Sequence, residues 1–280
     1  MLLFKKYLIM SFNKSDFFTK SIQERINYLK LVKDSKECLI PSVFSLLDFY
    51  IYIRETGLFL KKPNGYNKNG NLIISKGHAA SVFYLDLHNQ SQFASQGFGE
   101  DGSSVGIYAN LEIDNVLQPS GSLGHGVGVA CGILSANKNL NTPLFVIVGD
   151  GECFEGSIWE AITFASAHEL RNLVIVVDAN KRCILGDIDK ILPLGNLENK
   201  FKGFGCDVLS INGHNYDELS KIDGFLNSDN SLPKTIILNT VKGKGITFME
   251  ESPLWHNRHP GKDVIEELIN EFQKELIDAK

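Results

Sequence analysis

Residues 144 to 181, LFVIVGDGECFEGSIWEAITFASAHELRNLVIVVDANK, constrain this chain more than any other stretch. Leu144 to Val148 is a continuous apolar run rich in β-branched side chains and stopped by Gly149. Leu173 to Val177 is a second such run, stopped by Asp178. Runs that are apolar at every position suit strands buried on both faces. Between them Ile158, Ile162, Ala165 and Leu170 recur at roughly helical spacing. The connection is therefore a crossover helix, and the two strands run parallel. Ligands of open parallel sheets sit beyond the carboxyl ends of the strands, where Asp150 and Asn180 both fall. A carboxylate and an amide oxygen thus converge on one point.

Two hard oxygen ligands beside a glycine turn suit a Mg ion that holds a diphosphate. Mg takes octahedral oxygen ligands and leaves several positions to phosphate and water. Gly149 and Gly151 let the backbone come close, and the helix that follows offers free N–H groups to an anion. Gly-Asp-Gly alone is a common sequence. Its pairing with an Asn at the end of the next strand, with 28 residues between Gly151 and Asn180, is far more restrictive.

The 280 residues, 43% hydrophobic, suffice for one large α/β domain with a full core, and no linker divides them. Residues 1–14 read as an N-terminal tail and 15–280 as a single diphosphate-binding domain. A net charge of -5 argues against nucleic acid as the main partner. Cys38, Cys131, Cys153, Cys183 and Cys206 are scattered without any Cys-x-x-Cys pair, a pattern of reduced thiols that places the chain in the cytoplasm. Cys153, next to the glycine turn, reads as a small packing residue. The opening MLLFKKYLIM lacks the long apolar core and cleavage site of a secretory signal. Translation from Met10 is as compatible with it as translation from Met1. No run is long enough for a membrane span.

Elsewhere the periodicity predicts a helix over 17–32 capped by Ser15, and a second over 38–53 with Pro41 near its start. Residues 62–71 form a Gly, Asn and Pro loop, followed by a strand at 72–74. A helix opens at Ser75-Lys76-Gly77-His78 and runs through Leu87. His78, at a glycine-rich helix start, suits either a phosphate contact through its ring N–H or a cap on its own helix. Residues 92–106 read as a loop. Gly121 opens a helix continuing through Ala136, whose glycines favour close packing and do not match a dinucleotide fingerprint. After Lys181 come a loop with Gly186, a helix at 197–204, strands at 207–210 and 233–240, and a helix at 216–225. Lys242 and Lys244 lie between glycines, an arrangement for clamping phosphate or for plain solvation. A polar loop at 250–260 and a helix at 264–277 complete the chain.

SKGHAA at 75–80, GSLGHGVGVA at 121–130, GDGECFEGSIWEA at 149–161, DANK at 178–181, GHN at 213–215 and VKGKGITFMEESPLWH at 241–256 follow in order. Together they resemble the amino-terminal half of transketolases, in the form where the thiamine diphosphate-binding domain is a separate subunit. The resemblance covers roughly residues 30 to 260. It implies a thiamine diphosphate-binding fold, a largely parallel sheet with helices on both faces. It also implies that Asp150, Asn180 and the backbone carbonyl of Arg182 hold Mg. His78, Gly121, Ser122, Leu123, Gly149, Asp150, Gly151, Glu152 and Asn180 would bind the cofactor. His78, His256, Glu155 and Glu160 would be catalytic, with His256 facing the substrate and the two glutamates in an acidic network between paired active sites.

The activity implied is transfer of a two-carbon ketol unit between sugars or sugar derivatives, dependent on thiamine diphosphate and Mg. Where the family carries a Ser-Gly-His-Pro-Gly-Gly stretch, this chain reads Ser35-Lys36-Glu37-Cys38-Leu39-Ile40-Pro41, and where it carries Gly-His-Pro-Glu, this chain reads Gly106-Ile107-Tyr108-Ala109. Both absent histidines address the sugar in the family, so a changed donor or acceptor is expected. Nothing in these residues grips an aminopyrimidine ring. A C-terminal transketolase-like subunit with a pyrimidine-binding domain is the expected partner, in a heterotetramer with sites at the interfaces. A decarboxylase, the alpha subunit of a 2-oxoacid dehydrogenase and a non-catalytic scaffold are the alternatives.

Overall fold

A computed structural model describes residues 12–59, 70–85, 97–112, 116–137, 140 and 142–278, the side chain of Pro253 excepted. The expected tail over residues 1–11, most of the 62–71 loop, the 86–87 end of the helix after His78 and the start of the 92–106 loop lie outside these residues.

Two helices open the described chain, α1 (Lys14–Val32) and α2 (Ile40–Glu55). Strand β1 (Leu72–Ile74) leads into a 3-10 helix at Gly77–Leu85, and α3 (Gly126–Ala136) precedes β2 (Leu144–Gly149). A 3-10 turn at Gly151–Phe154 and α4 (Gly156–Ala167) connect β2 to β3 (Leu173–Ala179). A small antiparallel hairpin of β4 (Arg182–Cys183) and β5 (Gly186–Asp187) follows, then α5 (Ile188–Ile191), α6 (Leu197–Gly203) and β6 (Asp207–Asn212). Next come α7 (Tyr216–Leu219), α8 (Lys221–Leu226), β7 (Lys234–Asn239), α9 (Thr247–Glu251), a 3-10 turn at Pro253–Asn257 and α10 (Lys262–Asp278).

The main sheet has the order β1-β2-β3-β7-β6 and is parallel throughout. Alternation along each strand divides the core in two. Phe145, Ile147, Val174, Val176, Ile236 and Leu238 face a cluster built with α1, α2 and α10. Leu144, Val146, Val148, Leu173, Ile175 and Val177 face a second cluster built with α3, α4 and Phe201 of α6. The helices therefore cover both faces, as continuous apolar strands require. From β2 to β6 the chain advances across the sheet with α4 and α6 on the second face, where α3 also packs. It then reverses into β7, so α7 and α8 pack on the other face, as right-handed crossovers dictate.

Several local expectations change. Asn13, not Ser15, caps α1: its side chain accepts from Asp16 N–H at 3.0 Å, while the Asp16 carboxylate accepts from Asn13 N–H at 3.4 Å. Phe12, within the expected tail, packs on Phe17 and Tyr216. The segment after Lys76 is a 3-10 helix, and the regular helix of the 121–136 stretch begins only at Gly126. The helix expected over 216–225 breaks into α7 and α8 at Ser220. α2 is buried from Ile40 to Ile53, and it carries Ser45 and Asp48 into the core. Polar groups so placed need partners.

Candidate functional site

Five strand ends converge because the sheet is parallel. β1 delivers Ser75 to His78, β2 delivers Gly149 to Glu152, β3 delivers Asp178 to Arg182, and β7 delivers Thr240 to Lys242. β6 brings His214 to the same end. The first three border a cavity of about 580 Å³ that includes Gly77, His78, Gly149, Asp150, Asn180 and His256 in its walls, and the β7 end meets it through the contact of Lys242 with His256. Close approach is built in at Gly77, where a Cβ would stand 2.7 Å from the backbone nitrogen of Gly121.

The Asp150 carboxylate accepts from Gly151 N–H at 2.8 Å and from Lys181 N–H at 2.5 Å. This second bond draws the 180–182 loop onto the glycine turn. Burial, then the nearby Asp178 charge, pushes the Asp150 pKa up to about 7. Asn180 turns its Nδ2 towards Ser45 Oγ and Asp178 Oδ2, each at 3.4 Å, which leaves Oδ1 on the opposite side, accepting from Arg182 N–H at 3.0 Å. A buried carboxylate whose charge burial and Asp178 disfavour, next to an oriented amide oxygen, fits a hard divalent ion. Among the described residues no three His, Cys, Asp or Glu side chains group as a metal cage.

Asp178 is fully buried and pairs with the Lys76 ammonium. Ser45 Oγ donates to it at 2.6 Å, and Thr240 donates from the other side. Burial alone would raise its pKa, but Lys76 and the hydroxyls hold it below the usual carboxylate value. Glu152 is 3% exposed and accepts from Ser75 Oγ at 2.5 Å, Gly124 N–H at 2.8 Å and Gly149 N–H at 3.1 Å. Burial raises its pKa. Both of its oxygens are engaged within the chain, so Glu152 clamps three cavity-forming turns together.

Lys242 Nζ lies 2.6 Å from His256 Nδ1. Burial, then the Lys76 charge, brings the Lys242 pKa down to about 7. Burial and Lys242 lower His256 to about 3, and burial with Lys76 pulls His78 well below its usual value. The two imidazoles are neutral and face each other with ring centroids 5.3 Å apart. Below about pH 7, where Lys242 is an ammonium and can only donate, His256 Nδ1 accepts and the ring hydrogen resides on Nε2.

Gly121, Leu123, Gly151, Glu155 and Arg182 also border the cavity, whereas Ser122 and Glu160 do not. Glu160 is exposed on α4, and Arg182 pairs with Asp187 at 2.8 Å. Lys242 departs from the solvated reading, while Lys244 follows it, half-exposed beside Glu250. Lys76 and Asp178 carried no site assignment in the sequence beyond their place in the SKGHAA and DANK motifs. Cys153 is buried, in keeping with a packing role.

The transketolase thiamine diphosphate binding domain matches residues 58–275. The chain belongs to the transketolase family. One of the subunits of an apulose-4-phosphate transketolase, from Phocaeicola vulgatus, is 30% identical over 214 residues, covering 75% of this chain and 76% of the relative. A 6-deoxy-6-sulfo-D-fructose transketolase subunit SqwG of Clostridium sp. (strain MSTE9) is 33% identical over 217 residues, covering 75% and 79%. Human transketolase is 32% identical over 228 residues, but these span 76% of this chain and 34% of the human protein. The crystal structure of Campylobacter jejuni transketolase superposes with a TM-score of 0.78 at 26% identity, covering 91% of this chain and 43% of that one. The transketolase fold and its class of activity, that of a transferase, follow from these relatives. No helix among the described residues is long and apolar enough to cross a membrane.

Proposed function

We propose that this chain is the diphosphate-binding subunit of a two-subunit, Mg-dependent transketolase that moves a two-carbon ketol unit between sugars or sugar derivatives. The observation that carries the reading is the convergence of Asp150, Asn180, His78 and His256 on one cavity at the carboxyl ends of a parallel sheet, with Lys242 bonded to His256 behind its wall. Asp150, the Asn180 amide oxygen and the Arg182 carbonyl would hold Mg. His78, Gly121 and Leu123, which border the cavity, would contact the diphosphate. Thiamine diphosphate, when bound, supplies the electron sink that stabilises the carbon unit in transit.

The rest is the work of this chain's side chains. His256, with its hydrogen on Nε2, is a donor towards a substrate hydroxyl or carbonyl. His78, neutral and beside it, is the second group able to hold a hydroxyl or pass a proton. The outer wall contains Glu37, Cys38, Leu39, Ile107 and Tyr108. These are the two segments in which the family's sugar-facing histidines are replaced, and their meeting on one wall supports a changed donor or acceptor.

Leu123, Val129 and Phe164 are exposed on the segment from Gly121 through α3 and on α4, together with Glu155 and Glu160. We assign this face to the pyrimidine-binding partner in a heterotetramer, with the two glutamates between paired sites, and the assembly to the cytoplasm. Two relatives carry subunit names that support a divided enzyme. Residues 15–280 would form one domain.

Titration calorimetry of the chain with its partner tests the cofactor site. Thiamine diphosphate with Mg is expected to bind, and Asp150→Ala to weaken binding by more than about a hundredfold, beyond what outer partners of metal ligands cause. Unchanged heats in the variant would remove the Mg assignment.

A further inference from the structure

Behind the cavity lies a second buried polar network, drawn from three distant parts of the chain. Arg25 of α1 grips Asp48 of α2 with two bonds, Nη1 to Oδ1 at 2.9 Å and Nη2 to Oδ2 at 3.0 Å. The Ser21 hydroxyl also donates to Asp48. Arg25 and Asp48 are 4% and 3% exposed. Burial by itself would raise the Asp48 pKa, but Arg25 and His214 hold it well below the usual carboxylate range.

His214, in the turn after β6, places Nδ1 at 2.7 Å from Asp48 Oδ2. Its Nε2 accepts from the backbone N–H of Val241 at 2.9 Å. A ring nitrogen that accepts from an amide carries no hydrogen, so the hydrogen sits on Nδ1 and points at Asp48. The surroundings allow His214 one tautomer.

Val241 opens the loop that carries Lys242. The same loop is tied twice more: Gly243 N–H donates to the Pro41 carbonyl at 3.0 Å, and Arg25 Nε donates to the Lys244 carbonyl at 3.2 Å. Three tethers thus bracket the buried lysine that reaches His256. Stability alone does not account for the arrangement, since buried ion pairs are often matched or bettered by apolar replacements. Its distinguishing property is that every tether ends on one short loop.

We propose that His214 is a positioning residue: oriented by the Arg25–Asp48 pair, it holds the 241–245 loop so that Lys242 reaches His256 in the cavity wall and keeps it in the Nε2–H tautomer. The link to cofactor affinity rests on the thiamine diphosphate reading above, whereas the tautomers are properties of this chain by itself.

Nitrogen-15 spectra of the histidine rings test it directly. In the unmodified chain His214 is expected as the Nδ1–H tautomer and His256 as the Nε2–H tautomer. Lys242→Met and His214→Phe should each turn His256 into a mixture, while His214→Gln, which keeps an acceptor for Val241, should leave it unchanged. With the partner subunit present, His214→Phe should weaken thiamine diphosphate binding by about tenfold, the worth of one good hydrogen bond. That loss should vanish in the Lys242→Met background, because a residue acting through Lys242 has nothing left to act on. A hydrogen on Nε2 of His214 overturns the proposal, and so does an unaltered His256 in Lys242→Met, neither of which requires His214→Phe to fold. An undiminished loss in the double variant overturns it too. If instead Asp150→Ala leaves the Mg-dependent titration unchanged, the cofactor reading fails while the spectra still decide the positioning role.

Discussion

The floor and the outer wall of the cavity are built on different principles. At the floor, Asp178, Lys76, Glu152 and Asp150 are all at most 4% exposed, and each is held by partners from other strands. At the wall and rim, Tyr108 is 52% exposed, and Ile184 and Leu185 at the hairpin tip are 63% and 77% exposed. The floor is preorganised within this chain, as charge stabilisation of a cofactor requires. The wall keeps Cys38 and Leu39 buried but exposes Tyr108 and the hairpin tip, and exposed loop positions suit the part of a site that selects a sugar.

The comparison breaks first at the floor. Asp178→Ala strands the Lys76 ammonium in the core and is expected to cost about 3 to 5 kcal/mol in urea unfolding, most of it recovered by Lys76→Met with Asp178→Leu. A loss below about 1 kcal/mol would mean that the floor is no more tightly built than the wall.

Asp150 sharpens the same contrast through pH. Its pKa rises from the ordinary 3.8 to about 7 in the folded chain, because burial and Asp178 disfavour the charge. A raised folded-state pKa stabilises below the unfolded value and loses that contribution as pH climbs through the folded one. The metal-free chain should therefore lose stability between pH 3.8 and about 7, the window set by those two values. Asp150→Asn should show a shallower fall and a higher melting temperature at alkaline pH, while binding no Mg. Parallel melting profiles for the two proteins would contradict this.

Effects at the wall are smaller. Ile107→His should raise turnover of ordinary ketose phosphates by about tenfold, one hydrogen bond to a sugar hydroxyl. No gain would count against a changed substrate as the reason for the replacement. Leu185→Ser should alter stability by less than about 0.5 kcal/mol, since the side chain is already in water. Its effect should appear in the Michaelis constant of the assembled enzyme, and a large change in melting temperature would place the hairpin tip with the floor.

Much of the floor was legible in the residues. Continuous apolar runs at 144–148 and 173–177 could only be buried strands, and parallel strands put Asp150 and Asn180 at one end. Helix ends were less legible. Asn13 outcompetes Ser15 because its side chain and Asp16 form a reciprocal box, and the break at Ser220 follows no strong local signal.

The strand, glycine turn, helix, strand unit and the placing of Asp150 and Asn180 at one end of the sheet were determined by sequence alone, because periodicity and turn chemistry act over a few residues. Only the tertiary structure decided which charges are buried. Lys242 and Lys244 stand two apart in a loop, yet one is buried and meets His256 and the other pairs with Glu250 at the surface. Lys76 finds Asp178 across 102 positions, and His214 finds Asp48 across 166. A charge is stable in the interior only where partners are brought to it, and partners so distant along the chain meet only when the sheet has formed.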